Sequence, residues 1–148
     1  MRAKYGIKQL SIFLENRKGR LREVTQVLAE ANVNIRALAL AESAEFGILR
    51  LVVDNPEKAR SVLSSSGFTV KEQEVFAVEV PDRPGGFYQV VKLLADADIN
   101  IDYTYAFVGG KDKAILIFKV PDDLLDKALE VISQGGLKLV EPLFFYSS

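Results

Sequence analysis

The residues best suited to do chemistry form a glycine turn, Asp82-Arg83-Pro84-Gly85-Gly86-Phe87, directly before an apolar helical segment. Glycines in such a turn let backbone N–H groups approach a ligand closely. The helix that begins there offers N–H donors without partners inside the helix, together with a partial positive charge. These features favour an anion, and a carboxylate fits them.

The same turn occurs twice in the 148-residue chain. Asn16-Arg17-Lys18-Gly19-Arg20-Leu21 precedes Asp82-Arg83-Pro84-Gly85-Gly86-Phe87 by 66 positions, and Asn34-Ile35 precedes Asn100-Ile101 by the same interval. The repeat preserves both apolar and turn positions in one order, which chance similarity does not produce. The chain therefore contains two copies of one structural unit.

The second copy is slightly longer than the first. Beyond the first helix the interval grows to 69 positions, as between Gly67 and Gly136, so three residues are inserted in the later loops. A repeat of this length is too long for a solenoid and suits two small domains. We predict one domain over residues 1–74 and a second over residues 75–148.

Each copy is predicted to contain strand, helix, strand, strand, helix and strand in that order, from the spacing of its apolar residues. The strands are predicted at Leu10–Glu15, Ile35–Ala41, Phe46–Val53 and Phe68–Glu74, and at Val75–Val80, Ile101–Val108, Lys113–Val120 and Leu137–Leu143. The helices are predicted from Leu21 to Ala31, from Pro56 to a stop at Gly67, at Phe87–Ala97 and within Pro121–Gln134. Right-handed crossovers place the first and third strands side by side, which is the ferredoxin-like arrangement. The predicted fold class is α+β, with two antiparallel sheets that each carry helices on one face.

The sheet face without helices also needs a cover. Tyr103, Tyr105 and Phe107 share one strand face opposite Thr104 and Ala106, and both sides are largely apolar. A copy of about 66 residues is marginal as an independent fold, so its second face must pack on the other copy or on another chain. We predict a homo-oligomer, most simply a homodimer.

The glycine turn and the asparagine of one copy lie at opposite ends of the same helix. The first strand leads into that helix and the second strand leaves it, so the length of the helix separates them. A small molecule therefore cannot contact both within one copy. A joint site has to be assembled between different copies.

The order βαββαβ, with Asp82-Arg83-Pro84-Gly85 before the helix and Asn100-Ile101 after it, resembles the ACT domain. The weaker Asn16-Arg17-Lys18-Gly19 and Asn34-Ile35 match the same frame, and the resemblance runs from about residue 10 to residue 143. It implies binding of free amino acids or similar small metabolites, usually at interfaces between paired ACT domains. It also implies that the ligand carboxylate meets loop amides, while nearby oxygens hold the amino group.

The resemblance carries over to a set of candidate ligand-binding positions in both copies. They are Asn16, Gly19, Arg20 and Leu21, then Asp82, Pro84, Gly85, Gly86 and Phe87, with Asn34, Ile35, Asn100 and Ile101 at the helix exits. The first copy departs from the family pattern, with Asn16 in place of the acid and Lys18 in place of the proline. Its loop either binds the same ligand, prefers another, or serves only as a scaffold.

Each candidate also has a purely structural explanation. Gly85 and Gly86 form a tight turn whether or not a ligand binds, and Asp82 caps the turn or the helix start. Asn34 and Asn100 follow helix ends, where asparagine tolerates left-handed backbone geometry. These structural roles can coexist with ligand binding.

Composition argues against several functions. The chain has 19 basic and 20 acidic residues, so it lacks the basic surface that nucleic acid binding needs. It contains no cysteine and no histidine, which removes thiolate and imidazole catalysis and Cys/His zinc sites. Asp122, Asp123 and Asp126 suit a helix start better than a metal site. We predict no catalytic residue, no metal and no cofactor, and the absence of a membrane-length apolar run or signal peptide predicts a cytoplasmic protein.

Three functions remain open. The first is a non-catalytic regulatory protein that binds an amino acid and acts on a partner enzyme or regulator. The second is a ligand-free accessory subunit of a metabolic enzyme, which the open sheet faces favour. The third is a small enzyme on a ferredoxin-like scaffold, because fold alone does not determine function.

Overall fold

A computed structural model describes residues 1–15, 17–42, 45–107 and 111–146 of the chain. The strands are β1 Ile7–Glu15, β2 Ile35–Glu42, β3 Phe46–Val53, β4 Thr69–Pro81, β5 Tyr103–Phe107, β6 Lys113–Lys119 and β7 Lys138–Val140. The helices are α1 Arg2–Tyr5, α2 Arg20–Glu30, α3 Pro56–Ser65, α4 Gly86–Asp96, α5 Leu125–Gln134 and α6 Leu143–Tyr146, with a 3₁₀ turn at Asp122–Leu124. None of the helices in the described ranges has the length and apolar character needed to cross a bilayer.

The chain forms two compact units, and one of the boundaries between them along the sequence falls within β4. The N-terminal unit comprises Lys8–Gln73 with Phe145 and Tyr146, and the C-terminal unit comprises Glu74–Phe144 with Met1–Ile7. The sequence predicted one strand that ends at Glu74 and another that begins at Val75. The structure has a single strand of 13 residues instead, because the two predicted strands follow each other directly and no turn residue lies between them. The assignment of the two domains to residues 1–74 and 75–148 stays a prediction.

The N-terminal unit has the predicted ferredoxin-like strand order, β2-β3-β1-β4, with the first 5 residues of β4, residues 69–73, at one edge. The first and third strands are neighbours, with Leu10 opposite Leu51 in an antiparallel register. Apolar residues of β1, β3 and both helices form one core. Its buried members are Leu10, Ile12, Leu14, Val24, Leu28, Val33, Leu49, Leu51, Val53, Ala59, Leu63 and Phe68.

The C-terminal unit repeats this order as β7-β4-β6-β5, using the second part of β4. Phe76 in β4 lies opposite Phe118 in β6, and Thr104 in β5 lies on the other side of Phe118. The core again joins the sheet to two helices. Its buried members are Phe76, Val78, Val80, Val90, Leu94, Ile99, Leu116, Phe118, Val120, Leu125, Ala128, Leu129, Ile132 and Leu139. The predicted α+β architecture with two antiparallel sheets is confirmed.

Side chains on the helix-free faces are buried as well. Four side chains on the sheet faces that carry no helix expose no surface (0%). They are Gln9 and Val52 in the N-terminal unit and Ala77 and Ile117 in the C-terminal unit. Gln9 Nε2 donates to Ser11 Oγ at 3.2 Å, so the buried amide is hydrogen-bonded. The prediction that both faces of each sheet bury side chains is confirmed.

The second helix of the first copy begins as predicted. Asn55 Oδ1 accepts a hydrogen bond of 3.2 Å from the N–H of Lys58, and Pro56 occupies the first helical turn. Proline is compatible with that position because the N–H it lacks would have no acceptor inside the helix. The predicted stop at Gly67 also holds, since its φ of +87° ends the helical geometry.

The last predicted strand is wrong in its extent. The sequence predicted a strand over Leu137–Leu143, whereas β7 covers only Lys138–Val140 and the helical turn α6 starts at Leu143. Pro142 has no N–H to donate to a strand ladder, so the strand ends before it. The second strand of this copy also begins at Tyr103 rather than Ile101, and the predicted turn at Gly109-Gly110 lies outside the described residues.

Helix α1, which covers only Arg2–Tyr5, was not predicted from the sequence. Contacts within the C-terminal unit hold it. Arg2 Nε lies 3.2 Å from Glu74 Oε1, and the backbone N–H of Arg2 donates to Asp126 Oδ1 at 3.2 Å. One helical turn has no apolar periodicity to detect, so tertiary ion pairs rather than local preference specify it.

Candidate ligand-binding loops

The two predicted glycine turns adopt the same backbone geometry. Gly19 has φ 91° and ψ −6°, and Gly85 has φ 89° and ψ −7°. Each glycine is the N-cap of the following helix, α2 or α4, and lies in the left-handed region that side chains disfavour. Backbone geometry alone therefore favours glycine at both positions.

The start of α4 leaves backbone donors without an acceptor in the helix. The N–H of Gly86 donates to the carbonyl oxygen of Arg83 at 3.1 Å, and the first α-helical bond joins the N–H of Gln89 to Gly85 O at 3.1 Å. The N–H groups of Phe87 and Tyr88 lie between these two donors and have no acceptor within the helix. No side chain of the described residues caps this helix. These two amides can bind an anion.

The start of α2 has the same pattern of backbone bonds. The N–H of Arg20 donates to Arg17 O at 3.3 Å, and the N–H of Glu23 donates to Gly19 O at 3.0 Å. No side chain in the described part of the chain caps this helix either. The equivalent amides, those of Leu21 and the residue after it, are placed as in the second copy.

The side chains around the first turn differ from those around the second. The Arg20 guanidinium lies 4.3 Å from the centre of the Phe68 ring, and Arg20 Nη1 pairs with Glu23 Oε2 at 2.6 Å. Arg20 Nη2 also lies 3.8 Å from Glu15 Oε1, and the side chain of Arg20 is only 13% exposed. Two carboxylates therefore lie beside this turn, and the arginine charge is already compensated.

The turn in the second copy has no acidic residue in the first turn of its helix. Phe87 stacks on Phe118 with ring centres 6.0 Å apart, and Phe118 stacks on Phe76 at 5.6 Å. Phe87 remains 46% exposed, so this aromatic stack runs from the core to the surface beside the helix start. The stack fixes the position of the first turn of α4 against the sheet.

The second glycine of this turn has a packing role. A Cβ atom on Gly86 would overlap the carbonyl oxygen of Pro81, and Gly86 is buried. A Cβ on Gly85 would meet nothing within 4 Å. Gly86 is therefore explained by the close approach of strand and helix, whereas the space beside Gly85 is open.

Asp82 does not cap helix α4, so the prediction that it caps the helix start is wrong. Gly85 is the N-cap of α4, and no side chain in the described ranges bonds to that helix start. The backbone N–H of Asp82 donates to Asp112 O at 3.0 Å, and its side chain is exposed. Pro84 is exposed as well, and Asn16 lies outside the described residues.

The left-handed residues at the helix exits lie two positions earlier than predicted. Asn32 has φ 60° and Asp98 has φ 59°, whereas Asn34 and Asn100 are not in the left-handed region. The N–H of Val33 donates to Leu28 O at 2.9 Å, which is the bond that closes a helix with a left-handed residue. The chain therefore reverses immediately after the helix, before it reaches the predicted asparagine.

The helix-exit candidates make local contacts. The N–H of Asn34 donates to Asp54 Oδ1 at 2.9 Å, and Asn100 Nδ2 donates to Asp102 Oδ1 at 3.3 Å. Ile35 and Ile101 are half-buried and pack against the cores of their own units. A helix of 11 residues separates each exit from its turn, which corresponds to about 16 Å. Within one unit the structure does not bring turn and exit together.

A sequence profile of the ACT domain pair matches residues 5–143. This chain belongs to the ACT domain pair family. The ACT pair is similar to the solved protein BT0572 of Bacteroides thetaiotaomicron, with 37% identity, a TM-score of 0.91 and coverage of 98% of this chain and 99% of that one. A search among curated protein sequences found no match.

Two further solved structures share the fold of this ACT pair at low sequence identity. The regulatory subunit of aspartate kinase from Thermus thermophilus has 15% identity and a TM-score of 0.66, covering 88% of this chain and 93% of that one. The corresponding subunit from Thermus flavus has 14% identity and a TM-score of 0.63, covering 89% and 94%. The resemblance to the ACT domain and the predicted fold are confirmed.

The ACT pair also has two grooves that sequence reasoning did not predict. One, of about 420 Å³, lies in the N-terminal unit and is lined by Lys8, Glu57, Arg60, Ser61, Ser64 and Glu72. The other, of about 270 Å³, lies in the C-terminal unit beside Glu79, Ile115 and Phe144. Neither groove includes a predicted ligand-binding residue. Four residues of the first groove, Glu57, Arg60, Ser61 and Ser64, lie on α3, but Lys8 and Glu72 come from two different strands, so no local motif marks the groove.

Three acidic residues, Asp122, Asp123 and Asp126, lie at the start of α5. Asp122 Oδ1 pairs with Lys119 Nζ at 3.2 Å and belongs to the 3₁₀ turn that leads into α5. Among the described residues, no group of three or more potential metal ligands comes together. Asp122 and Asp123 lie in the 3₁₀ turn and Asp126 lies in the first turn of α5, where acidic side chains interact favourably with the helix dipole.

We expect the substitution Arg20→Gln to lower the free energy of unfolding by about 1 kcal/mol, because it removes the contact with Phe68 and the pair with Glu23. The matched variant is Arg83→Gln in the second turn, where the side chain is exposed. That change is expected to stay within about 0.5 kcal/mol of the parent. Urea unfolding followed by circular dichroism measures both, and equal effects would contradict the structural role of Arg20.

Proposed function

We propose that this ACT pair is a non-catalytic regulatory protein that binds a free amino acid or a similar small metabolite. The observation that carries the proposal is the uncapped start of α4, where Gly85 in left-handed geometry leaves two backbone amides without a helical acceptor. A carboxylate at these amides would gain hydrogen bonds and the favourable end of the helix dipole. Asp82 supplies an exposed carboxylate in the same turn that suits the ligand ammonium group.

The turn of the second copy is the better of the two for a carboxylate ligand. At the first turn, Glu15 and Glu23 would repel a carboxylate, and Arg20 is already paired with both. At the second turn, no acidic residue lies in the first turn of α4. We therefore assign ligand binding to Pro84, Gly85 and the amides that follow, and a scaffold role to the first turn.

The downstream partner is proposed to be an enzyme or regulator of amino acid metabolism. The solved aspartate kinase regulatory subunits have the same fold, which supports a regulatory rather than a catalytic role. The chain also contains no histidine and no cysteine, so the commonest acid–base and nucleophilic groups are absent. We place the protein in the cytoplasm and propose that it acts as a homodimer.

Calorimetry and thermal unfolding with each of the twenty amino acids test the proposal. A ligand at 100 times its dissociation constant stabilises the native state by about 2.7 kcal/mol, which raises the melting temperature measurably. We expect one amino acid, or a chemically related group, to give both heat and a thermal shift. No heat and no shift with any of them would remove the ligand-binding proposal.

A charge placed in the first helical turn distinguishes the two loops. Tyr88→Glu puts a carboxylate beside the free amides of α4, where it is compatible with the helix dipole but repels a ligand carboxylate. We expect the ligand affinity to fall at least about tenfold while the melting temperature is retained. The matched variant Arg22→Glu, at the equivalent exposed position of α2, is expected to leave affinity unchanged. The reverse pattern would assign the ligand to the first turn.

A second candidate function is a ligand-free accessory subunit of a metabolic enzyme. Exposed apolar side chains favour it, among them Leu143 and Tyr88 in the C-terminal unit. Such a subunit would co-purify with a fixed partner, and added amino acids would not change the amount recovered. The same pull-down with and without the amino acid found by calorimetry separates the two functions.

A further inference from the structure

The larger groove of the N-terminal unit takes no part in the amino acid site proposed at α4. Its volume is about 420 Å³, which lies within the range of about 300–1,000 Å³ that is common for pockets that bind small molecules. The lining residues come from one helix and two strands: Glu57, Arg60, Ser61 and Ser64 of α3, Lys8 of β1 and Glu72 of β4. Every lining residue that the structure describes is charged or carries a hydroxyl. The groove is therefore built to recognise charges and hydrogen-bonding groups rather than apolar ones.

The four residues of α3 form one stripe along the helix. Glu57, Ser61 and Ser64 follow the spacing i, i+4 and i+7, and Arg60 precedes Ser64 by one turn, so these side chains share a face. Lys8 Nζ lies 3.9 Å from Glu57 Oε1, which places Lys8 beside the first residue of the stripe. Between Glu57 and Ser64 the helix rises by about 10 Å, which is the length of about three residues of extended chain.

Four of the lining side chains have no hydrogen-bond or ion-pair partner in the described part of the chain. They are Arg60, Ser61, Ser64 and Glu72. Serine within a helix commonly donates to the carbonyl oxygen one turn earlier, and among the described residues neither of these hydroxyls does so. Glu72 is half-buried, where an unpaired carboxylate is costlier than on the open surface. Since Arg60 and Glu72 line one groove without pairing with each other, a ligand that carries both charges can pair with each of them.

We propose that this groove binds a short peptide of about three residues with free termini. The peptide carboxylate pairs with the Arg60 guanidinium, which can donate parallel hydrogen bonds to both carboxylate oxygens. The peptide ammonium group pairs with Glu72. The peptide groups between the two ends bond to the hydroxyls of Ser61 and Ser64, which donate as well as accept. This site goes beyond the proposed amino acid site and does not depend on it, because its residues all belong to the N-terminal unit.

Length and lining favour a peptide over a free amino acid. In a free amino acid the ammonium and carboxylate groups are attached to the same carbon, whereas an extended peptide of about three residues separates its ends by about 10 Å. A free amino acid also has no peptide group to offer the two serines. Because the described lining has no apolar residue, the side chains of the peptide contribute little, and a peptide made of glycine is a sufficient probe.

Nuclear magnetic resonance of the ¹⁵N-labelled chain tests the peptide groove. Glycine and triglycine are the probes, and the readout is the chemical shift of the backbone amides of Ser61 and Ser64. We expect triglycine to shift both amides saturably, with a dissociation constant at least about tenfold below that of glycine. No shift with triglycine, or equal affinity for triglycine and glycine, would overturn the proposal.

Variants combined with blocked peptides assign the two charged ends. Glu72→Gln is expected to weaken triglycine binding at least about tenfold but to leave the weaker binding of N-acetyltriglycine, which has no ammonium group, unchanged. Arg60→Gln is expected to weaken triglycine binding as much and to leave triglycine amide, which has no carboxylate, unchanged. Arg22→Gln, at an exposed position of α2 outside the groove, should change neither affinity. Equal losses for blocked and unblocked peptides would contradict the assigned ends.

Two further measurements separate the groove from a structural effect and from the site at α4. The melting temperatures of Arg60→Gln and Glu72→Gln should stay close to that of the parent, because neither side chain has a partner among the described residues. A large fall would give these residues a structural role and overturn their assignment to a ligand. Tyr88→Glu, which weakens the proposed site at α4, is expected to leave the triglycine-induced shifts unchanged, so failure of one site is distinguishable from failure of the other.

Discussion

Replacement of Phe118 by alanine is expected to lower the free energy of unfolding by about 3–5 kcal/mol. Phe118 has no exposed surface (0%) and lies between Phe76 and Phe87 in the aromatic stack of the C-terminal unit. The substitution removes buried apolar area, leaves a cavity and breaks two ring contacts at once. Because the stack positions the start of α4, ligand affinity should also fall.

Two matched variants separate the causes of the Phe118 effect. Phe13→Ala removes the same side chain from a surface position that is 45% exposed, so its effect should remain below about 1.5 kcal/mol. Phe118→Leu keeps most of the apolar volume and should lie between the parent and the alanine variant. Urea unfolding followed by far-ultraviolet circular dichroism suits a chain without tryptophan. Similar losses for Phe118→Ala and Phe13→Ala would contradict the assigned core.

The repeat allowed most of the fold to be predicted from sequence. Alternating apolar residues at Leu10, Ile12 and Leu14 predicted the face of β1 that packs in the core with the helices. The order of elements followed from this spacing, and the crossover rule then fixed the neighbours of each strand. Such features are local and repeated, so two copies support each other where one alone would be ambiguous.

Other features depend on contacts that the sequence does not display. Helix α1 is held by Arg2 against Glu74 and Asp126, which are distant in sequence. The two predicted strands form the single strand β4 because the chain makes no turn after Glu74. A four-residue helix and a strand junction both lack periodicity, and tertiary contacts therefore decide them.

The candidate site was predictable in its backbone but not in its side chains. The need for glycine at positions 19 and 85 followed from turn chemistry, and the structure gives both left-handed geometry. The pairing of Arg20 with Glu15 was not predictable, because Glu15 belongs to the preceding strand. This pairing makes the two turns different, although their backbones are alike.

We expect Gly86→Ala to lower the free energy of unfolding by about 2–3 kcal/mol and to weaken ligand binding at least about tenfold. The new Cβ would overlap the carbonyl oxygen of Pro81, and a backbone atom cannot move aside as a flexible side chain can. The end of β4 and the start of α4 must then separate, which shifts the amides proposed to hold the carboxylate. Thermal unfolding and calorimetry measure the two effects.

The neighbouring glycines provide the controls for Gly86→Ala. Gly85→Ala introduces only backbone strain, since its Cβ meets nothing within 4 Å, and should lower the free energy of unfolding by about 1–2 kcal/mol. Gly19→Ala introduces the same strain in the other copy and should leave ligand affinity unchanged. An effect on affinity from Gly19→Ala equal to that from Gly86→Ala would mean that the ligand does not depend on the second turn. A large loss of stability confined to Gly86→Ala would instead show that close packing of strand and helix, rather than turn conformation, sets the geometry of the binding loop.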